Sequence, residues 1–135
     1  METIRILLVD NHPTFLRLVS EFLREHHAGE ITVVGTARTV QEGLALTGAQ
    51  RPDVVVLDPF SPARSAKVIL PLLRAALPGA GLVVLTARSE GVYRRAALAA
   101  GADEFVAKAD IVAELMPAIR RAYFLHTLPG GGGGG

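Results

Sequence analysis

Four short apolar runs in this chain each stop at a residue able to do chemistry. Ile4 to Val9 is followed by Asp10-Asn11, Val54 to Leu57 by Asp58, Leu82 to Leu85 by Thr86, and Glu104 to Ala107 by Lys108. Two carboxylates, a hydroxyl and an ammonium brought to one place suit phosphoryl transfer. Oxygen ligands of this kind hold Mg²⁺, which takes one or two carboxylates and completes its shell with phosphate and water. The metal and a lysine would neutralise the charge spread over the phosphoryl oxygens in the transition state, and a threonine hydroxyl would donate to one of them. Singly, each of these residues reads as an ordinary strand-end cap or turn residue. Their shared register carries the functional reading. Only two of the fourteen basic residues are lysines, which makes the position of Lys108 informative.

These side chains meet only if the runs are neighbouring strands of one sheet. Apolar bursts alternate with amphipathic stretches five times. Ile4 to Val9 is an aliphatic run broken only by Arg5, as expected of a strand buried on both faces. Phe15, Leu16, Val19, Phe22 and Leu23 then recur at helical spacing, with Pro13 in a tolerated first-turn position. Ile31 to Gly35 reads as the second strand, and Thr39-Val40-Gln41-Glu42 has capping-box spacing for a second helix. Val54 to Leu57 is the third strand. A third helix runs to Leu77, where Pro78-Gly79 stops it, and Pro71 should delay or kink it. Leu82 to Leu85 is strand four. Ser89 is expected to cap helix four and Gly101 to end it. Glu104 to Ala107 makes strand five, after which Asp110 is expected to cap a last helix bent at Pro117. Strands joined by helices of this length imply parallel crossovers and an α/β, doubly wound five-stranded sheet. Ligands of such sheets collect beyond the carboxyl ends of the strands, where the four chemical residues lie.

The chain has 135 residues, half of them apolar and a fifth charged, enough for one folded domain. A formal net charge of +1, with scattered basic residues, leaves no electrostatic footprint for direct nucleic-acid binding. Cysteine is absent, so disulfides and thiolate metal sites are excluded. The first strand begins near Met1 and no apolar run approaches spanning length, so a cytoplasmic chain with neither signal peptide nor membrane partner is expected. Residues 1–126 are read as the domain and 127–135 as a Gly-rich flexible tail or linker.

The segment Ile6-Leu7-Leu8-Val9-Asp10-Asn11-His12-Pro13 resembles the opening of response-regulator receiver domains of two-component systems. Pro52-Asp53-Val54-Val55-Val56-Leu57-Asp58 resembles their phosphoacceptor strand, and Leu82 to Ala87 their switch-threonine strand. Ala99 to Lys108 resembles the segment with their switch aromatic and lysine. The likeness runs from residue 4 to about 125 and is greatest to the branch with a LuxR-type helix-turn-helix output domain. It implies the flavodoxin-like (βα)₅ fold with strand order 2-1-3-4-5. It also implies that a histidine kinase phosphorylates Asp58, with Asp10 helping to hold Mg²⁺. Thr86 and Lys108 would contact the phosphoryl group, and Phe105 would reorient with Thr86. The implied protein is a dimerising regulator of transcription, not an enzyme beyond its own phosphorylation and dephosphorylation.

The sequence departs from that pattern in two places. Asn11 stands where the family has a second acid, so the metal site should be weakened. After Asp58, Pro59 removes a backbone N–H. Pro62 matches the family, but Ser61 replaces its methionine and residues 63–66 lack its glycines. Phe60 and Arg88, each two residues beyond a site residue, flank the site and would screen a phosphoryl group from water. His12 borders the site as in similar receivers, and His26, His27 and His126 read as solvated helix-end residues. Tyr123, Phe124 and Leu125 exceed the needs of a helix end, and fit packing on another domain or protomer as well as self-packing. The rival reading is an atypical, phosphorylation-independent receiver acting as a dimerisation or ligand-responsive module. A flavin or nucleotide enzyme would need a Gly-rich loop where Asp10-Asn11-His12-Pro13 stands.

Overall fold

The computed structural model describes residues 2–60 and 66–127. Ser61, Pro62 and the Gly-rich tail lie outside the described residues. Five strands, β1 (Ile4–Val9), β2 (Ile31–Ala37), β3 (Val54–Leu57), β4 (Gly81–Thr86) and β5 (Glu104–Ala107), form one parallel sheet in the order β2-β1-β3-β4-β5. Helices α1 (Pro13–His26), α2 (Val40–Gln50), α3 (Ala66–Ala76), α4 (Gly91–Ala99) and α5 (Met116–Thr127) supply the crossovers and the last cover.

The aliphatic strands are explained by two cores. Ile4, Ile6, Leu8, Val54, Val56, Val83, Leu85 and Val106 face one way, onto α1 and α5. Leu7, Val9, Val55, Leu57, Leu82, Val84 and Phe105 face the other way, onto α3 and α4. Strand residues alternate between the faces, so burying both makes the inner strands apolar at nearly every position. Strand β2 lies on the edge and carries an irregularity: Ile6 pairs with Val33 but Leu7 with Gly35. It runs two residues beyond the expected Gly35, because Ala37 still pairs with Val9.

Helix boundaries depart more from expectation. Thr39 caps α2 through its hydroxyl, which accepts from Glu42 N–H at 3.1 Å, while the Glu42 carboxylate accepts from Arg38 N–H. Ser89 does not cap α4. The N-cap is Glu90, with no side-chain capping bond, while Gly101 follows the helix at φ +116°, as glycine allows. Pro71 does not delay α3, which already runs from Ala66 and continues through it to Ala76. It sits on the exposed face, where the carbonyl its ring leaves without a partner can meet water. Asp110 makes no capping bond either. The chain passes through a 3₁₀ turn at Lys108–Asp110 and a wide π-type turn at Ile111–Leu115 before α5. That widening lies directly before Pro117, whose ring opposes a regular α turn there.

His126 is not solvated. Its side chain is buried, with Nε2 2.9 Å from Asp103 Oδ2. The same oxygen accepts from Arg74 at 3.0 Å and from Leu82 N–H at 2.8 Å, tying α5, α3 and β4 at the end of the sheet where β4 and β5 begin. Tyr123 packs on the α1/α5 core, whereas Phe124 and Leu125 remain about half exposed.

Candidate functional site at the carboxyl edge of the sheet

Strands β1 and β3 are adjacent, with Val9 opposite Leu57, so Asp10 and Asp58 leave the sheet side by side. Asp10 N–H donates to Ala37 carbonyl at 3.0 Å and Asp58 N–H to Val9 carbonyl at 3.1 Å, fixing both backbones. Lys108 follows β5 and reaches back over the edge. Its Nζ lies 2.7 Å from Asp10 Oδ2 and 3.2 Å from Asp58 Oδ2. The three side chains are only 7–11% exposed, and the ammonium also sits over the Phe15 ring at 4.2 Å from its centroid. A cation held by two carboxylates and an aromatic face is well compensated for its burial.

The remaining carboxylate oxygens are also used. Asp10 Oδ1 accepts from His12 N–H at 2.9 Å and meets His12 Nδ1 at 3.0 Å. An ionised carboxylate is acceptor only, so Nδ1 carries the hydrogen in this contact. Asp58 Oδ1 accepts from Phe60 N–H at 3.1 Å, spanning the residue that lacks an N–H, Pro59. Asp10, His12 and Asp58 present ligand atoms within 4.8 Å of one another, a group whose hard oxygens fit a divalent cation. Asn11 is exposed and lines the same groove as Asp10, Asp58 and Pro59, together with Arg38 and Thr39.

Thr86 is buried at the end of β4, next to β3 in the sheet, and its Oγ accepts from Arg88 N–H at 3.2 Å. Phe105 is 8% exposed in the α3/α4 core, with the Arg94 guanidinium 5.8 Å from its ring centroid. Phe60 and Arg88 do not stand apart. Both lean on Tyr93 of α4, a residue the sequence reading did not single out. Tyr93 is five residues from Arg88 and far from Phe60 in sequence, so no helical or strand period links the three. Pro62 falls outside the described residues.

A five-stranded parallel sheet in this order, with two acids and a lysine joined at its carboxyl edge, defines the receiver class of signalling domains. The chain belongs to the response regulator receiver domain family, which it matches over residues 6–120. It is 34% identical over 119 residues to a Mycobacterium tuberculosis protein described as the probable transcriptional regulatory protein TcrX, covering 88% of this chain and 49% of that one. It is 37% identical over 109 residues to a protein-glutamate methylesterase/protein-glutamine glutaminase of Geobacillus kaustophilus, covering 80% of this chain and 31% of the other. Among solved structures, a LuxR-family two-component response regulator from Aurantimonas sp. SI85-9A1 superimposes with a TM-score of 0.76 at 31% identity, covering 88% of this chain and 84% of that one. The chain therefore spans a third to a half of these two curated relatives. No helix among the described residues is long and apolar enough to cross a membrane.

Proposed function

We propose that this chain accepts a phosphoryl group on Asp58 from the phosphohistidine of a histidine kinase, with Mg²⁺ as cofactor. The observation that carries the reading is the position of Lys108 Nζ between Asp10 and Asp58. In the step, an Asp58 carboxylate oxygen attacks phosphorus, the P–N bond breaks, and the imidazole nitrogen keeps the electron pair. Asp10 and Asp58, with a weakened contribution from Asn11, would hold Mg²⁺, which would supply charge neutralisation at the phosphoryl oxygens. Lys108 supplies a second positive charge. Thr86 Oγ accepts from Arg88 N–H, which leaves its own hydrogen free to donate to a phosphoryl oxygen. Phe105 moves with Thr86, and the change spreads to the α4–β5 face.

On this reading the output is a change in homodimerisation, through the α4–β5 face or through α1 and α5, in a cytoplasmic regulator. A DNA-binding domain elsewhere in the full protein would act on transcription. This domain itself contacts neither DNA nor membrane. Asn11 and Pro59 favour one rival, a receiver that dimerises or responds to a ligand without phosphorylation.

One experiment separates the two. The chain is incubated with acetyl phosphate and Mg²⁺, and its intact mass is measured. The expected result is a gain of one phosphoryl group that disappears in Asp58→Asn. A wild-type mass that never changes would refute phosphorylation and leave the rival.

A further inference from the structure

The side chains around the site form a chain of contacts, from Asp58 to Thr86, that no single element explains. Phe60 N–H donates to Asp58 Oδ1, and the Phe60 ring meets the Tyr93 ring edge-on, with centroids 5.1 Å apart at 77°. On the other side, Arg88 N–H donates to Thr86 Oγ, and Arg88 Nη1 donates to the Tyr93 hydroxyl at 3.1 Å. The Arg88 guanidinium also lies 5.4 Å from the Tyr93 ring centroid. Each site residue thus holds the backbone of the residue two places on, and those two residues hold the same tyrosine. Tyr93 serves both because it offers a ring for Phe60 and, at the same position, an acceptor oxygen for the guanidinium. It stands in the first turn of α4, half-buried, with its own N–H on Glu90 carbonyl at 2.9 Å.

We propose that Tyr93 is a positioning residue that holds Phe60 and Arg88 as one cover over the acceptor and so sets how long a phosphoryl group survives on Asp58. The proposal rests on phosphorylation of Asp58. Loss of the group is hydrolysis: a water oxygen attacks phosphorus, the P–O bond to Asp58 breaks and the carboxylate is regenerated. The water's proton passes to the departing phosphate or to solvent. Two bulky side chains fixed beside the acceptor limit the approach of that water. Tyr93 touches neither reactant, so its influence travels only through Phe60 and Arg88.

That restriction makes the test specific. The full chain is loaded with acetyl phosphate and Mg²⁺, the donor is removed, and the phosphorylated fraction is followed by intact mass. Tyr93→Ala should shorten the lifetime by about two- to tenfold, the scale of losing an aromatic pair and its cation contact. Tyr93→Phe, which keeps the ring and loses the hydroxyl, should fall between. In a Phe60→Ala/Arg88→Ala background, which already hydrolyses faster, Tyr93→Ala should change nothing further. A general weakening of the fold would instead add its effect in either background. Thermal unfolding shows that each variant is folded, and Tyr93→Leu replaces Tyr93→Ala where it is not. Uptake with an unchanged lifetime in the Tyr93 variants overturns this inference alone, as does a further acceleration in the double-variant background. A wild-type chain that takes up no phosphoryl group overturns this inference and the proposed function together.

Discussion

Lys108→Met should destabilise the chain in the presence of a chelator and make it depend on Mg²⁺ for its stability. The substitution keeps most of the apolar stem of the side chain and removes the ammonium with its charge and donors. Lys108 Nζ lies 2.7 Å from one carboxylate and 3.2 Å from the other. At an effective dielectric near 20, these contacts are worth roughly 6 and 5 kcal/mol gross, before desolvation of the ammonium. Removing one partner of a buried pair costs about 3–5 kcal/mol, because the remaining charge is left uncompensated. The lower end applies here. Asp10 keeps the His12 N–H and Asp58 keeps the Phe60 N–H, so neither carboxylate is stripped of donors. A loss of about 3 kcal/mol corresponds to a fall in Tm of roughly 10 °C for a domain of this size.

The rescue is the sharper half. With Lys108 gone, Asp10 and Asp58 face each other without a cation, and a divalent ion relieves their repulsion. Mg²⁺ at about one hundred times its Kd returns roughly 2.7 kcal/mol, most of the loss. Urea unfolding of wild type and variant, each in EDTA and in excess Mg²⁺, measures both quantities. Mg²⁺ should shift the midpoint of Lys108→Met more than that of wild type. Adding Asp10→Asn to Lys108→Met should recover stability in EDTA and abolish the metal dependence. Equal midpoints for wild type and Lys108→Met in EDTA would refute the ion-pair argument. Equal Mg²⁺ shifts in the two proteins would refute the claim that lysine and metal share one pair of carboxylates.

Asn11→Asp should tighten Mg²⁺ binding by about tenfold, near 1.4 kcal/mol, since it restores one negative charge to the groove shared with Asp10 and Asp58. Calorimetric titration of both proteins checks this, and equal affinities would show that residue 11 lies outside the ion's reach. Gly81→Ala should cost about 1–3 kcal/mol, because a Cβ there would sit 2.9 Å from both the Cβ and the carbonyl oxygen of Ala122 on α5. An unchanged urea midpoint would mean that α5 moves aside freely. Hydrogen bonding to the Arg120 guanidinium, at 2.6 and 2.8 Å, holds the Glu30 carboxyl below its ordinary value of 4.5, against the opposing effect of burial. A lowered folded-state pKa gives stability that is present above the unfolded value and lost as pH falls through the folded one. Wild type should therefore exceed Glu30→Gln by about 0.5 kcal/mol at pH 7, discounted because both side chains are well exposed, and the gap should close towards pH 3. A gap that persists in acid would remove the ion pair as its source.

The strands were legible because burial on both faces makes them short, mainly apolar runs bounded by polar residues. The expected bounds of β1, β3 and β5 match those observed. Strand β4 is one residue longer at each end, since Gly81 pairs with Val54 and Thr86 with Ala107. The proximity of Asp10, Asp58 and Lys108 followed from the same logic, because parallel strands deliver their next residues to one edge. Contacts between elements had no such signal. His126 carries the mark of a helix-end histidine, yet its partner Asp103 lies 23 residues earlier and arrives only when α5 docks on the loop before β5. Ser89 fits capping statistics, but the helix starts after Glu90, and a residue one place too early cannot serve the first-turn N–H groups. Tyr93 was hidden for the same reason. Its partners Phe60 and Arg88 follow different strands, and only the sheet order brings those loops together.

That order also bears on the two departures from the family pattern. With Asn11 neutral, Asp10 and Asp58 against Lys108 leave the three-residue core of the site one net negative charge. A second acid at position 11 would make it two and draw a dication more strongly, but would also raise the repulsion that Lys108 must offset alone. On the proposed reading, Asn11 gives up metal affinity and leaves two carboxylates of which one lysine offsets half the charge. Pro59 acts in the same direction. Removing its N–H leaves Asp58 Oδ1 to the amide of Phe60, whose ring is fixed on Tyr93. If Asp58 is phosphorylated as proposed, the phosphoryl group on one oxygen perturbs either the Lys108 contact at Oδ2 or the Phe60 N–H contact at Oδ1, and so acts on the turn after β5 or on the loop that meets Tyr93.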